Sequence, residues 1–130
     1  MYLYILGLIF LTPFFEWGIH RYAHTPPKLK FHHEHHLDYH NNNSIFEYWP
    51  IPFMTFFYYF GFYFVFLGIL KYWMFHNTIH YYPEILPKLS KHHLIHHQDP
   101  KYNFSVSSRL PDMILGTYRE REIPKRVAKL

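Results

Sequence analysis

The histidines of this chain fall into groups with repeated spacings. The chain has 13 histidines among 130 residues, and H-x-x-x-H patterns alternate with H-x-x-H-H patterns along it. In a helix, residues i, i+3 and i+4 lie close together on one face, so we expect each group to direct its imidazoles the same way. The ten candidate metal ligands in these groups are His20, His24, His32, His35, His36, His76, His80, His93, His96 and His97.

Ten imidazoles are more than one metal ion uses. A structural zinc ion takes about four protein ligands, so ten donors would serve two ions with four or five ligands each. Imidazole binds iron, copper, nickel and zinc, so the ligand type alone does not select the metal. The repeated pattern therefore predicts a two-metal site. The alternatives are chance H-x-x-x-H pairs and a flexible histidine-rich loop that buffers metal.

Two well-known metal motifs fit the sequence poorly. The zincin motif H-E-x-x-H would need a histidine at position 37, where Leu37 follows His33 and Glu34. Ferritin-like di-iron sites use paired Glu-x-x-His motifs, and the chain has no such pair. The predicted site is therefore an all-nitrogen one.

Two apolar blocks flank the histidine groups and would position them. Residues 1–15 form the first and residues 51–70, which contain no charge, form the second. A helix of 20 residues reaches about 30 Å, the hydrocarbon thickness of a bilayer. The first block lacks a basic start and an A-x-A site, so we do not expect a removable signal peptide. So short a chain offers too little surface to bury a helix that is apolar all round, which predicts an integral membrane protein.

The basic residues predict an orientation. All 13 Lys and Arg residues lie in segments 21–30 and 71–129, and basic flanks favour the cytoplasmic side. We expect the histidine-rich face in the cytoplasm, at the endoplasmic reticulum of a eukaryote or the inner membrane of a bacterium. The net charge of +4 suits anionic headgroups. The basic tail has no aromatic residues for stacking, which argues against a nucleic-acid partner.

If both histidine segments share one side, residues 45–75 must enter and leave the membrane on the same face. We expect a hairpin or re-entrant pair that bends near Gly61, with arms of roughly 14 residues. One full crossing is the alternative. It would put the two halves of the site on opposite faces and require a homodimer in which each chain supplies half the ligands.

These observations predict an all-α fold with one domain over residues 1–130. We expect the protein to be a compact integral membrane protein with short transmembrane or re-entrant helices. Pro83 and Pro87 break the chain before the last histidine group, and Ser90 is expected to cap its helix. The predicted parts are membrane segments at about 2–19 and 51–72, a cytoplasmic helical histidine-rich metal-binding cap at 20–40 and 76–117, and a basic tail at 118–130.

Five stretches of the chain resemble the fatty acid hydroxylase and sterol desaturase superfamily. They are EWGIHRYAH, FHHEHH, HNTIH, KHHLIHH and YNFSVSSRLPDMILGT, which together run from about Glu16 to Thr117. The resemblance implies an integral membrane di-metal oxidoreductase that uses O2 and external electrons to hydroxylate or desaturate lipids. It implies the same ten histidines as ligands, with His33 and His92 as additional candidates and His40 as an extra histidine.

The chain departs from the family pattern in two places. Its apolar segment between the two halves is shorter than the four-helix arrangement typical of the family. Pro111 stands before Asp112, where family members often have Trp. The second difference lies near the lid or lipid entrance, so it bears on the substrate more than on the metal.

The expected chemistry needs a strong oxidant, because acid–base side chains cannot break an unactivated C–H bond, whereas iron with O2 can. We expect two iron ions, with zinc as their substitute in purified protein, and a fatty acyl, sterol or carotenoid substrate. The chain has no dinucleotide fingerprint and no haem attachment motif, so electrons would come from a cytochrome- or ferredoxin-type partner with its reductase. No catalytic residue is expected beyond the ligands. The acids expected to hydrogen-bond the free ring nitrogens are Glu16, Glu34, Asp38, Asp99 and Asp112.

The alternative function is a non-catalytic histidine-rich metal-binding membrane protein or a metal transporter. A transporter would hold polar ligands within its membrane spans, yet residues 51–70 contain no His, Asp or Glu. A degenerate homologue that binds zinc structurally would carry the same ligands. The sequence favours the enzyme and leaves these alternatives open.

Overall fold

The described part of the protein is built from helices. The computed structural model describes residues 1–26, 30–37 and 50–120, and no strand occurs within them. The predicted all-α class is confirmed. The predicted residues Asp38 and His40 and segment 121–130 of the basic tail lie outside the described residues. The helices are α1 (Tyr2–Phe10), α2 (Thr12–Ala23), α3 (Lys30–Leu37), α4 (Pro50–Tyr59), α5 (Tyr63–Tyr81), α6 (Pro87–Gln98) and α7 (Leu110–Ile114).

Helices α1 and α2 follow each other almost without interruption. Leu11, between them, keeps right-handed helical angles, and the Thr12 hydroxyl donates to the Leu8 carbonyl over 2.6 Å. Pro13 stands in the first turn of α2, where its missing N–H costs no hydrogen bond. Within the described residues, Tyr2–Ala23 is the one helix long and apolar enough to cross a membrane. A core helix of a soluble protein and an N-terminal signal sequence meet the same criteria.

Helices α4 and α5 form a hairpin that turns at Gly61. This glycine has a φ of +77°, in the left-handed region that side chains disfavour. The turn lies where the sequence predicted a bend, but the expectation of two similar arms is wrong. Helix α4 has 10 residues and α5 has 19. After Gly61 no proline interrupts the chain before Pro83, so α5 continues past the apolar block and carries His76 and His80 at its end.

Helix α5 packs against α1 and α2. A Cβ on Gly68 would lie 3.3 Å from the Thr12 methyl carbon, so glycine permits the close approach of the two helices. The Lys71 ammonium donates to the Thr12 hydroxyl over 2.7 Å and pairs with Glu16 at 3.5 Å. These contacts fix the register between α2 and α5, and therefore between the histidines near the ends of both helices.

Helix α6 begins earlier than the sequence suggested. It starts at Pro87 after Leu86, with no side-chain cap. Ser90 lies inside the helix and is buried, so its predicted role as the cap is wrong. Proline suits the first helical turn because its φ is already helical. Pro87 therefore begins the helix three residues before Ser90.

Polar residues occupy the interior and large apolar residues face outward. Histidines dominate the buried polar residues, whereas Leu3 is 86% exposed and Tyr59 is 82% exposed. Many of the exposed large hydrophobic residues lie on α1 and along the hairpin of α4 and α5. Within the described residues, the buried hydrophobic side chains are those of Ala23, Met54, Ile79, Ile95, Phe104 and Val106.

Candidate metal centre

Two clusters of histidines could each hold a metal ion. Within each cluster, one ring nitrogen per residue lies within 4.8 Å of those of all the others. Nitrogens bound to one zinc ion at about 2.1 Å are at most about 4.2 Å apart, so each cluster needs only a slight contraction to hold an ion. The five-histidine cluster is His20, His24, His32, His36 and His96, and the four-histidine cluster is His35, His80, His93 and His97.

The expectation that each group directs all its imidazoles one way is only partly met. On α3, His32 and His36 belong to the five-histidine cluster, whereas His35 belongs to the four-histidine cluster. On α6, likewise, His93 and His97 belong to the four-histidine cluster, whereas His96 belongs to the five-histidine cluster. At 3.6 residues per turn, positions i+3 and i+4 fall on opposite sides of position i, about 100° apart. One H-x-x-H-H group therefore serves both clusters.

The two clusters adjoin through α3 and α6. The ring centroids of His36 and His97, which belong to different clusters, are 4.3 Å apart. Those of His35 and His97 are 4.9 Å apart, and those of His36 and His96 are 4.8 Å apart. Two ions held in these clusters would be close neighbours.

Hydrogen bonds among the rings cannot pair all the nitrogens of the five-histidine cluster. His96 Nδ1 contacts the Tyr102 carbonyl at 2.7 Å, and because a carbonyl only accepts, neutral His96 carries its lone pair on Nε2. His24 Nε2 lies 3.0 Å from this atom and 2.8 Å from His32 Nε2. A ring nitrogen holds one hydrogen at most, and a hydrogen on His24 Nε2 can point to only one of its two neighbours, so in the neutral state at least one of these two pairs has no well-aligned hydrogen bond. A shared cation removes the conflict.

The four-histidine cluster has the same arrangement. His93 Nε2 lies 3.0 Å from His80 Nε2 and 3.0 Å from His97 Nε2. One hydrogen on His93 can be donated to one of the two neighbours only. Neutral imidazoles that converge in this way suit a divalent transition metal.

Burial keeps several of these imidazoles neutral. It lowers the pKa of His32 and of His36 to about 2, and the neighbouring imidazoles act in the same direction. Burial also holds the pKa values of His93, His96 and His97 well below 6.5. Only the neutral ring offers a lone pair to a metal, so the clusters are ready to bind one at neutral pH.

Backbone carbonyls orient two ligands of the five-histidine cluster. The Phe104 carbonyl accepts from His20 Nδ1 and the Tyr102 carbonyl accepts from His96 Nδ1. These bonds place the lone pairs on Nε2, and His20 Nε2 is buried without a hydrogen-bond partner in the described part of the chain. A carbonyl behind a ligating imidazole is a common arrangement in metal sites, because it fixes the tautomer and the ring.

Of the ten predicted ligands, His76 alone falls outside both clusters. It is buried beside the four-histidine cluster, with ring centroids 4.5 Å from His80 and 5.0 Å from His93. Its ring stacks on Tyr72 at 5.4 Å. The role of His76 as a ligand stays a prediction.

The two additional candidates also lie outside the clusters. His33 is exposed on α3. His92 is buried on α6, and its Nε2 lies 3.0 Å from Asp112 Oδ2. His92 therefore faces Asp112 on α7.

The predicted acidic partners have different surroundings. Asp112 contacts a histidine, whereas Glu16 accepts from the backbone N–H and hydroxyl of Ser107. Asp99 pairs with Arg119. Glu34 lies half-buried on α3.

Sequence reasoning missed the carbonyls that orient His20 and His96. Backbone acceptors leave no mark in residue types, so spacing could not have identified them. Asn103, which lies between the two carbonyls, has a φ of +57°. An asparagine in a short segment after a histidine helix is compatible with such a turn, because Asn tolerates this conformation.

No protein-family model, no curated protein and no solved structure matches this chain.

Proposed function

We propose that this protein is a membrane-bound, O2-dependent lipid hydroxylase or desaturase whose two histidine clusters hold a pair of iron ions. The observation that carries the proposal is the adjacency of two all-imidazole clusters inside a chain whose exterior is apolar. Its motifs resemble those of the fatty acid hydroxylase and sterol desaturase superfamily, whose chemistry needs two adjacent metals at a bilayer.

The donor set fits a redox-active first-row metal. All nine nitrogens of the two clusters come from imidazole, which suits iron, copper and zinc alike. A pair of iron ions, when bound, would activate O2 and accept electrons from an external donor. Zinc would occupy the same ligands without redox chemistry. The metal identity therefore separates the enzyme from the alternative of a metal-binding protein without catalytic activity.

The chain's own residues orient two of the ligands and bury three of them. The carbonyls of Tyr102 and Phe104 hold two rings of the five-histidine cluster in one tautomer. His96 is 0% exposed and His93 is 2% exposed, so neither ring is open to bulk solvent. The other cluster members except His20 are half-buried, so a bound substrate would have to cover them to keep water from the oxidant.

A cavity that is lined by none of the cluster histidines suits an amphiphilic substrate. This cavity, of about 240 Å³, lies between α1, α5 and α7, with Ile9, Phe10 and Phe75 among its apolar walls. Lys71 and Ser107 also line it. An acyl chain would contact the apolar wall while a polar or anionic head lies near the lysine.

The membrane setting is part of the proposal. Helices α1 and α2 would cross or enter the bilayer, and the hairpin of α4 and α5 would be re-entrant, turning at Gly61 within the lipid. The histidine-bearing ends would then lie on one side, in the cytoplasm, where a cytochrome- or ferredoxin-type donor can reach them. The basic residues that flank these segments support this orientation.

The test is lipid mass spectrometry of iron-replete cells that express the chain. The wild type and His33→Ala should yield lipids that have gained an oxygen atom or lost two hydrogens. His96→Ala should yield none, because His96 is a buried member of the five-histidine cluster whereas His33 is exposed. Metal bound by the purified wild type without any new lipid product would instead favour a non-catalytic metal-binding protein.

A further inference from the structure

The segment after α6 contacts the five-histidine cluster from outside. The Tyr102 carbonyl accepts from His96 Nδ1 at 2.7 Å, and the Phe104 carbonyl accepts from His20 Nδ1. The two acceptors are separated by Asn103, whose φ of +57° turns the backbone between them. The positions of two ligands therefore depend on how this short segment is held.

Asp112, on α7, holds that segment. Its side chain is 0% exposed. Oδ1 accepts from the Phe104 N–H at 2.9 Å and from the Thr117 hydroxyl at 2.6 Å. Oδ2 accepts from the Ser105 N–H at 2.9 Å and contacts His92 Nε2 at 3.0 Å. A buried carboxylate is stable only when donors surround it, so its removal would leave several of them unsatisfied.

Asn103 joins the same segment to α6. Its side-chain amide donates to the His92 carbonyl at 3.1 Å and to the Arg119 carbonyl at 2.9 Å. Its oxygen accepts from the Arg119 N–H at 2.8 Å. The backbone of the segment is thus tied to α6 by Asn103 and to α7 by Asp112.

The support is directed at one cluster. Both carbonyls bind members of the five-histidine cluster. In the four-histidine cluster, by contrast, His93 Nδ1 is buried without a hydrogen-bond partner within the described residues. Loosening the segment should therefore affect the two clusters unequally.

We propose that Asp112 is a positioning residue for the five-histidine cluster, acting through the backbone of Phe104 and Ser105 on the carbonyls that orient His20 and His96. This inference rests on the proposed function in one respect, namely that the cluster holds a metal ion. It goes beyond that function because it gives Asp112, which is not a member of either cluster, a role at the five-histidine cluster.

The test measures Zn²⁺ affinity by chelator competition at each cluster separately. His80→Ala weakens the four-histidine cluster and leaves the other for measurement, and His24→Ala does the reverse. Adding Asp112→Asn should weaken binding about 10- to 100-fold in the His80→Ala background, as the loss of an outer partner usually does. In the His24→Ala background the affinity should change little. An equal loss in both backgrounds, or no loss in either, would overturn the proposal.

Glu120→Gln is the matched control. It removes a negative charge from an exposed carboxylate whose partner is the Lys91 side chain at 3.9 Å, and Zn²⁺ affinity should stay near that of the parent. If Asp112→Asn does not fold, Thr117→Val replaces it, because it deletes one hydroxyl donor to Asp112. It should weaken the five-histidine cluster less but in the same direction, and Thr117→Ser should restore binding. Wild-type affinity in Thr117→Val would count against the proposal.

A second readout needs no metal. In the metal-free protein, ¹⁵N chemical shifts should report His20 and His96 as the Nδ1–H tautomer, and Asp112→Asn should mix the tautomers of both. This result would stand even if the wild type bound no metal pair, so failure of the proposed function and failure of this inference are distinguishable. Unchanged tautomers in a folded Asp112→Asn protein would refute the inference.

Discussion

The imidazole rings of His36 and His97 lie 4.3 Å apart with an interplanar angle of 31°, although the two residues belong to different histidine clusters. They come from α3 and α6, which are far apart in the sequence. Their contact brings the two clusters together, so two ions bound in them would be close neighbours.

His36→Ala should reduce metal binding strongly, whereas His33→Ala on the same helix should not. His36 belongs to the five-histidine cluster and contacts the other one, while His33 is exposed and belongs to neither. We expect His36→Ala to retain at most about one ion per chain, since loss of a ligand usually lowers affinity by orders of magnitude. Metal analysis of the two purified variants measures this. Equal metal content in both would contradict the assignment of His36.

The stability of the metal-free protein should fall as the pH drops below about 6.5. His32 and His36 have pKa values of about 2 in the folded chain, against 6.5 without burial. Between these values the unfolded chain binds protons that the folded chain does not, so stability rises with pH across this window and is lost on acidification. Thermal unfolding in chelator at about pH 8 and about pH 5 tests the sign. A midpoint that is equal or higher at the lower pH would show that these rings are not buried as neutral groups.

Gly61→Ala should destabilise the protein by about 1–2 kcal/mol, because an L-residue is disfavoured at positive φ. A Cβ at this position meets no atom within 4 Å, so the effect is one of backbone conformation and not of crowding. Gly18→Ala is the matched control. It also adds a Cβ in open space but lies within α2, where alanine stabilises a helix by up to about 1 kcal/mol. Thermal unfolding of both variants should give shifts of opposite sign, and a neutral Gly61→Ala would remove the argument for a fixed turn.

Cysteines at positions 33 and 88 should be labelled from the same side of the membrane. The chain has no natural cysteine, and both His33 and Lys88 are exposed. A re-entrant hairpin puts α3 and the start of α6 in one compartment. An impermeant thiol reagent applied to sealed vesicles and then to inverted ones identifies the side. Labelling of His33→Cys and Lys88→Cys from opposite faces would contradict the proposed topology.

Much of the fold is predictable from local chemistry. The all-α class follows from helical histidine spacings and apolar blocks, and the turn at Gly61 follows from the tolerance of glycine for positive φ. The unequal lengths of α4 and α5 cannot be predicted from the sequence in this way. The uncharged apolar block ends just before Lys71, whereas the helix continues to Tyr81. Where a helix ends depends on breakers and packing more than on hydrophobicity.

The candidate site was predictable in its ligands and not in their division. Nine of the ten predicted histidines belong to the two clusters. Spacing alone could not show that His35 and His96 belong to a different cluster from the other histidines of their helices. The assignment depends on how α3 and α6 are rotated relative to each other. Nor could it find the Tyr102 and Phe104 carbonyls, since every residue has one. Tertiary packing decides which carbonyl lies behind which imidazole.

The number of iron ions per folded chain decides whether the two clusters form a paired metal centre. The wild-type protein, expressed in iron-replete cells and purified in detergent, is analysed for iron by mass spectrometry and by Mössbauer spectroscopy. We expect two irons per chain whose spectra show magnetic coupling, because the two clusters adjoin through His36 and His97. One ion per chain, no ion, or two irons without coupling would contradict a paired metal centre.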